Sequence, residues 1–170
     1  MADHIPMIET ERLRLRAPKL DDLPALTAFF ASARSHFVGG PREAYDARRG
    51  MMAVFGNWAL CGFGMWYIAD RDSDAFLGAT GILNGPDWDE PELAWYVTEA
   101  AEGHGIAFEA TQAARAHAAQ HLGLDRIVSY PAPENTRSIA LATRLGAVFE
   151  REGMLMGEAM HVYRHPKVAA

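Results

Sequence analysis

Apolar and polar residues alternate from Ile8 to Arg16, with Ile8, Leu13 and Leu15 set against Glu9, Arg12, Arg14 and Arg16. A period of two marks a strand with one buried face. The pattern places that strand from about Leu13, half-buried, closed by Pro18. The period then lengthens. Leu23, Leu26, Phe30 and Ala33 recur at helical spacing, with Asp21 as N-cap and Asp22 in the first turn, so a helix runs to about Arg34. Gly39-Gly40-Pro41 breaks the chain, and a second helical pattern spans 42–60. Around it gather Phe37, Tyr45, Met51, Met52, Phe55 and Trp58. Packing against a sheet edge is the plainer use of such residues; ligand contact is the alternative.

Strand patterns at 65–69 and 76–83 form a hairpin. Between them, Asp70-Arg71-Asp72-Ser73-Asp74 starts like a calcium loop, but Ala75 stands where glycine is needed and Gly81 where the bidentate Glu belongs. A solvated turn is expected. A second turn, 85–91, carries Asp87, Trp88, Asp89 and Glu90 and leads into a strand at 92–98. An alanine-rich helix spans 105–121, ended by Leu122-Gly123. His117 and His121 share one of its faces, but Ala118 stands where a metalloprotease helix carries Glu. No metal is expected. A short strand at 127–130, a rigid Pro131-Ala132-Pro133, and a helix capped by Asn135 with Ile139, Ala142 and Leu145 inward follow. Gly146 stops that helix, and strands at 148–151 and 158–163 close the pattern.

Composition narrows the class. The chain has 170 residues, 49% of them hydrophobic and 22% charged, which fits one domain spanning 1–170. No apolar run is long enough to cross a bilayer, and the first residues lack a secretory pattern. One cysteine, Cys61, fits a reducing cytoplasm. A net charge of −6 without a basic cluster argues against nucleic acid as partner and towards a small-molecule or cationic one.

The chemistry concentrates where Trp95-Tyr96-Val97 gives way to Glu102-Gly103-His104-Gly105-Ile106-Ala107-Phe108. Glycines between a strand and a helix let backbone approach a ligand closely. The helix that follows aims unpaired N–H groups and its positive dipole end back at the loop. Such a junction seats a phosphate. The dinucleotide fingerprint needs a third glycine and an early position in the chain, and neither is present.

A second segment about thirty residues on is Asn135-Thr136-Arg137-Ser138-Ile139-Ala140-Leu141-Ala142-Thr143-Arg144-Leu145-Gly146-Ala147. With the glycine loop it resembles the GCN5-related N-acetyltransferases, and most of all the ribosomal-protein N-terminal acetyltransferase branch. The opening Glu9-Thr10-Glu11-Arg12-Leu13-Arg14-Leu15-Arg16 is similar to that branch as well. The resemblance covers about Ile8 to Tyr163. It implies an α/β fold with a mixed, largely antiparallel sheet of about seven strands, splayed near Val97, and helices on both faces. It also implies transfer of an acetyl group from acetyl-coenzyme A to a primary amine, by direct attack in a ternary complex, with no metal. The acceptor is a protein N-terminus or a small-molecule amine, and the protein a monomer or homodimer.

Residue by residue, the resemblance implies that backbone N–H groups of Gly103, His104, Gly105, Ile106, Ala107 and Phe108 hold the coenzyme. The pantetheine arm runs along Trp95, Tyr96 and Val97, with the Val97 N–H near the thioester oxygen. Asn135 and Ser138 meet the arm and thiol; relatives carry a tyrosine acid where this chain has Leu141 or Ala142, so the proton donor is Ser138, a water or nothing. Glu92 is the candidate base, acting directly or through water, with Glu158 second. The expected effect of losing Glu92 lies on the acid side of the pH profile, where the amine is protonated. The family loop opens on Arg or Gln. Here Glu102 departs from that pattern and is expected to point to solvent. Arg137 and Arg144 either meet phosphates or are ordinary exposed arginines. Two other readings stay open: a non-catalytic acyl-coenzyme A-binding module on the same fold, and a dinucleotide-dependent oxidoreductase.

Overall fold

The computed structural model describes residues 5–168. Eight strands form one sheet in the order β1-β2-β3-β4-β5-β6-β8-β7. They are β1 (Ile8–Glu9), β2 (Leu13–Arg16), β3 (Met65–Asp70), β4 (Phe76–Leu83), β5 (Glu92–Val97), β6 (Val128–Ser129), β7 (Val148–Leu155) and β8 (Glu158–Arg164). The sequence pattern gives about seven. The eighth is β1, a two-residue edge strand too short for alternation to reveal, paired with β2 through Ile8↔Leu15. Every pairing is antiparallel except β5 with β6.

The helices are α1 (Leu23–Ala31), α2 (Ala44–Cys61), α3 (Ile106–His121) and α4 (Thr136–Arg144). The pleat of β3 sorts them onto two faces. Trp66 and Ile68 join Leu13, Leu15, Ala110 and Ala114 in a core beneath α3. Tyr67, between them, points the other way, into a core with Leu26, Phe29 and Phe30 of α1 and Ala47 and Met51 of α2. The alanines of α3 let that helix lie close to the sheet: Ala110, Ala114 and Ala118 are fully buried.

The α1 region departs from the pattern. Asp21 and Asp22 lie in a 3-10 turn, Leu20–Asp22, and neither side chain caps α1. Instead the Asp22 carboxylate grips the Arg16 guanidinium at 2.8 Å through both oxygens, and both residues are buried. A charge turned inward needs such a partner. Helix α1 ends at Ala31, and the chain continues as a 3-10 turn, Ala33–Val38. That turn carries Arg34. The turn at 70–74 is held more firmly than a solvated loop, because Asp74 accepts from Arg16 at 2.9 Å and also pairs with Lys19. These partners hold its carboxyl down at about 2.

The one parallel seam decides where a ligand fits. Strands β5 and β6 pair only at Glu92↔Val128. Beyond it, a side chain replaces the ladder: the Ser129 hydroxyl donates to Leu93 O at 2.6 Å. The split therefore begins at Leu93, before Val97 is reached. No helix among the described residues is long and apolar enough to cross a membrane.

Candidate active site

A cleft of about 860 Å3 opens over this split. Its walls bring together Glu92, Trp95, Tyr96, Asn135 and Ser138, with Glu158 from the β7–β8 hairpin and Phe37, Arg42 and Met51 from the α1–α2 side. Residues as far apart in the chain as Phe37 and Glu158 thus share one space. Leu93, Trp95 and Val97 pack towards the α3 face, whereas Tyr96 stacks on Phe29 at 4.6 Å on the opposite one. By the pleat, Glu92 and Ala94 share the Tyr96 face, on the α1–α2 side.

Glu92 is half-buried where the split starts. The turn at 85–91 folds Trp88 back so that its indole N–H donates to Glu92 Oε2 at 2.8 Å. Burial pushes the Glu92 carboxyl up to about 7, against the opposing pull of Trp88 and the Tyr130 amide. A carboxylate poised near neutrality suits a general base. The neighbouring acids are otherwise engaged. Glu90 binds Arg164 through both oxygens, at 2.5 and 2.8 Å, and Asp89 lies 3.6 Å from Arg151. Of the acids at 87–92, Glu92 lines the cleft, where Glu134 and Glu158 join it from other parts of the chain.

Asn135 caps α4, its Oδ1 accepting from the Ser138 N–H at 3.2 Å. That bond fixes the first turn of α4 and sets Ser138, half-buried, in the cleft wall. Tyr130 was not singled out by sequence. Its hydroxyl is buried without a hydrogen-bond partner among the described residues and it lines the cleft, but position 130 reads simply as the end of an apolar strand.

A polar chain braces the split. His165, fully buried, meets Arg115 Nη1 at 3.2 Å through Nδ1 and Ser129 Oγ at 2.9 Å through Nε2. Arginine can only donate, so Nδ1 accepts and Nε2 carries the proton. Burial and the facing Arg115 push His165 down to about 4, so it stays neutral at working pH. Arg115 also donates to Leu145 O at 2.7 Å, tying the end of α4 to α3. Nothing in the local sequence marks Arg115, inside an alanine-rich run, or His165, beside Pro166.

The glycine loop lies outside the cleft lining and continues from β5 to α3. Gly103 and Gly105 both adopt left-handed backbone, at φ 78° and 76°, which only glycine takes without strain. None of the N–H groups from Gly103 to Phe108 donates to another described residue. The opening motif supports this loop. Arg12 holds Glu109 Oε2 at 2.7 Å and donates to His104 O at 2.9 Å, while Thr10 donates to Glu109 Oε1 at 2.6 Å. Sequence likeness flagged residues 9–16 without this reason.

Glu102 does not point to open solvent. Its carboxylate pairs with Arg34 and, at 2.7 Å, with Arg137. Arg144 instead lies over the Phe108 ring at 4.3 Å. The His117 and His121 rings lie 4.6 Å apart, tilted by 40°, and among the described residues no cluster of potential metal ligands occurs.

The acetyltransferase (GNAT) domain model matches residues 12–148. This chain belongs to the GNAT acetyltransferase family. An acetyltransferase from Agrobacterium tumefaciens superposes with a TM-score of 0.87 at 36% identity, over 96% of this chain and 95% of that one. An uncharacterized N-acetyltransferase, p20, from Bacillus licheniformis is 27% identical over 86% of this chain and 83% of its own. RimL, a ribosomal L7/L12 alpha-N-protein acetyltransferase solved with coenzyme A, shares the fold at 18% identity, with a TM-score of 0.75 over 94% of this chain and 97% of its own. Homologues and the matching domain are N-acetyltransferases, and GNAT enzymes use acetyl-coenzyme A.

Proposed function

We propose that this GNAT enzyme transfers the acetyl group of acetyl-coenzyme A directly to a primary amine, with a protein N-terminus or a small cationic amine as acceptor. One observation carries the reading: a single cleft, at the point where two parallel strands part, holds a carboxylate tuned to about 7 and a serine on a capped helix. The glycine loop fits the coenzyme, with left-handed Gly103 and Gly105 and unengaged N–H groups opening α3. The RimL complex supports the same choice of donor.

Acetyl-coenzyme A supplies a thioester and a thiolate leaving group. Glu92 accepts a proton from the ammonium, directly or through water, which frees the nitrogen lone pair. The amine forms the C–N bond as the C–S bond breaks. The Val97 N–H is assigned to the carbonyl oxygen, where charge builds. Ser138 donates to the departing sulfur, and the Trp95–Val97 backbone and Asn135 hold the arm. The α1–α2 side, with Phe37 and Arg42, forms the acceptor wall. No thiol serves as an acyl carrier, since Cys61 is exposed and does not line the cleft.

Initial rates at varied acetyl-coenzyme A and amine test the direct mechanism. Intersecting double-reciprocal lines are expected; parallel lines would mean an acyl-enzyme. Ser138→Ala should lower kcat about tenfold, while changing the KM for acetyl-coenzyme A less than threefold. An unchanged kcat would transfer the donor role to water.

A further inference from the structure

Glu102 is the residue of the glycine loop that runs against its function, a carboxylate immediately before the phosphate seat. The structure shows what it does instead. Arg34 reaches it from the 3-10 turn after α1, and Arg137 from the first turn of α4. Three elements converge on one anion. Two guanidinium groups against one carboxylate leave a local excess of positive charge beside Gly103. Arginine forks recognise carboxylate and phosphate with the same geometry. Arg137 is also 76% exposed, and a Cβ built at Gly103 would meet nothing within 4 Å. Both the guanidinium and the turn next to Glu102 therefore have room to rearrange.

We propose that Glu102 is an internal stand-in anion: in the free protein its carboxylate occupies the Arg34–Arg137 pair, and a phosphate of the coenzyme displaces it on binding. This rests on the coenzyme reading above. No bond is made or broken; one anion replaces another on the same two cations. Arg137 is largely exposed, so its arm of the pair is readily exchanged. Coenzyme affinity is thereby held below what the loop and two arginines alone would give. Arg34 also belongs to the segment that leads into the acceptor wall, so the exchange changes a contact on that side too.

Titration calorimetry with coenzyme A, and separately with its 3′-dephospho form, tests this on the full chain. Glu102→Gln should tighten coenzyme A about tenfold, and Arg137→Gln should weaken it by a similar factor. In the double variant the tightening should disappear. Tightening kept with the dephospho form would assign the pyrophosphate, and tightening lost would assign the 3′-phosphate. Glu102→Gln should also lower the Tm of the free protein, with the difference closing at saturating coenzyme A. Unchanged or weaker binding by a folded Glu102→Gln overturns the proposal and makes Glu102 a plain strut of the loop. Should that variant not fold, Glu102→Ala and wild-type binding against added salt carry the same reading. A wild type that binds no coenzyme A at all would instead overturn the donor assignment.

Discussion

Glu92→Gln is expected to lower kcat/KM for the amine by roughly a hundredfold or more above pH 7, the range for losing a placed general base. Burial raises the carboxyl to about 7, so below that pH Glu92 already carries a proton and accepts none. The wild-type rate should therefore climb through about pH 7, and the variant should lack that limb. The difference closes again once the amine deprotonates by itself, near pH 7.7–8.0 for an α-amino group and about 10.4 for a lysine-like one. The width of the window thus reports the acceptor class. The sequence alone put the effect on the acid side, because it carries no measure of burial; the raised value moves it above neutrality. Stability provides the control. A carboxyl raised in the folded state contributes stability below its unfolded value, which is lost as pH rises through about 7. Glu92→Gln should therefore not lower Tm at pH 8. A pH–rate profile that overlays the wild type would remove Glu92 from the reaction.

Gly105→Val is expected to weaken coenzyme A binding by roughly a hundredfold or more while the domain still unfolds cooperatively. Gly105 caps α3 with φ 76°. A β-branched residue resists that conformation at a cost on the order of 1–3 kcal/mol, so the loop must turn its N–H groups elsewhere. Space does not decide it: a Cβ there would lie 3.5 Å from the Arg12 guanidinium, an ordinary contact. Calorimetry on a folded variant with unchanged affinity would place the coenzyme elsewhere.

Much of the fold is legible in the sequence. The pattern gives a strand at 76–83, matching β4 at Phe76–Leu83, and a helix at 105–121, whose first residue proves to be the cap of α3, because apolar faces and glycine punctuation are local signals. Glycine spacing points to the left-handed loop at Gly103 and Gly105, and likeness points to Asn135 and Ser138, which meet at the start of α4. What stayed hidden depends on residues far apart in sequence. Trp88 covering Glu92 depends on how one turn folds back. The Arg12–Glu109 clamp joins positions 97 apart, and the Ser129–His165–Arg115 chain links β6, the residue after β8 and α3. Asp22 looked like helix chemistry because acidic residues favour first turns, but the inward Arg16 claimed it. Glu102 was misread for the same reason: its two partners lie on α4 and on the turn after α1.

The most direct measurement is amine-dependent thiol release from acetyl-coenzyme A, with acetylated product counted by mass spectrometry across peptides with free N-termini and small cationic and neutral amines. One thiol per acetylated amine, a preference for cationic acceptors, and near-complete loss in Glu92→Gln at pH 8 are predicted. Tight coenzyme A binding with no amine in the panel raising thiol release would contradict the account and leave a protein that binds the coenzyme without using it.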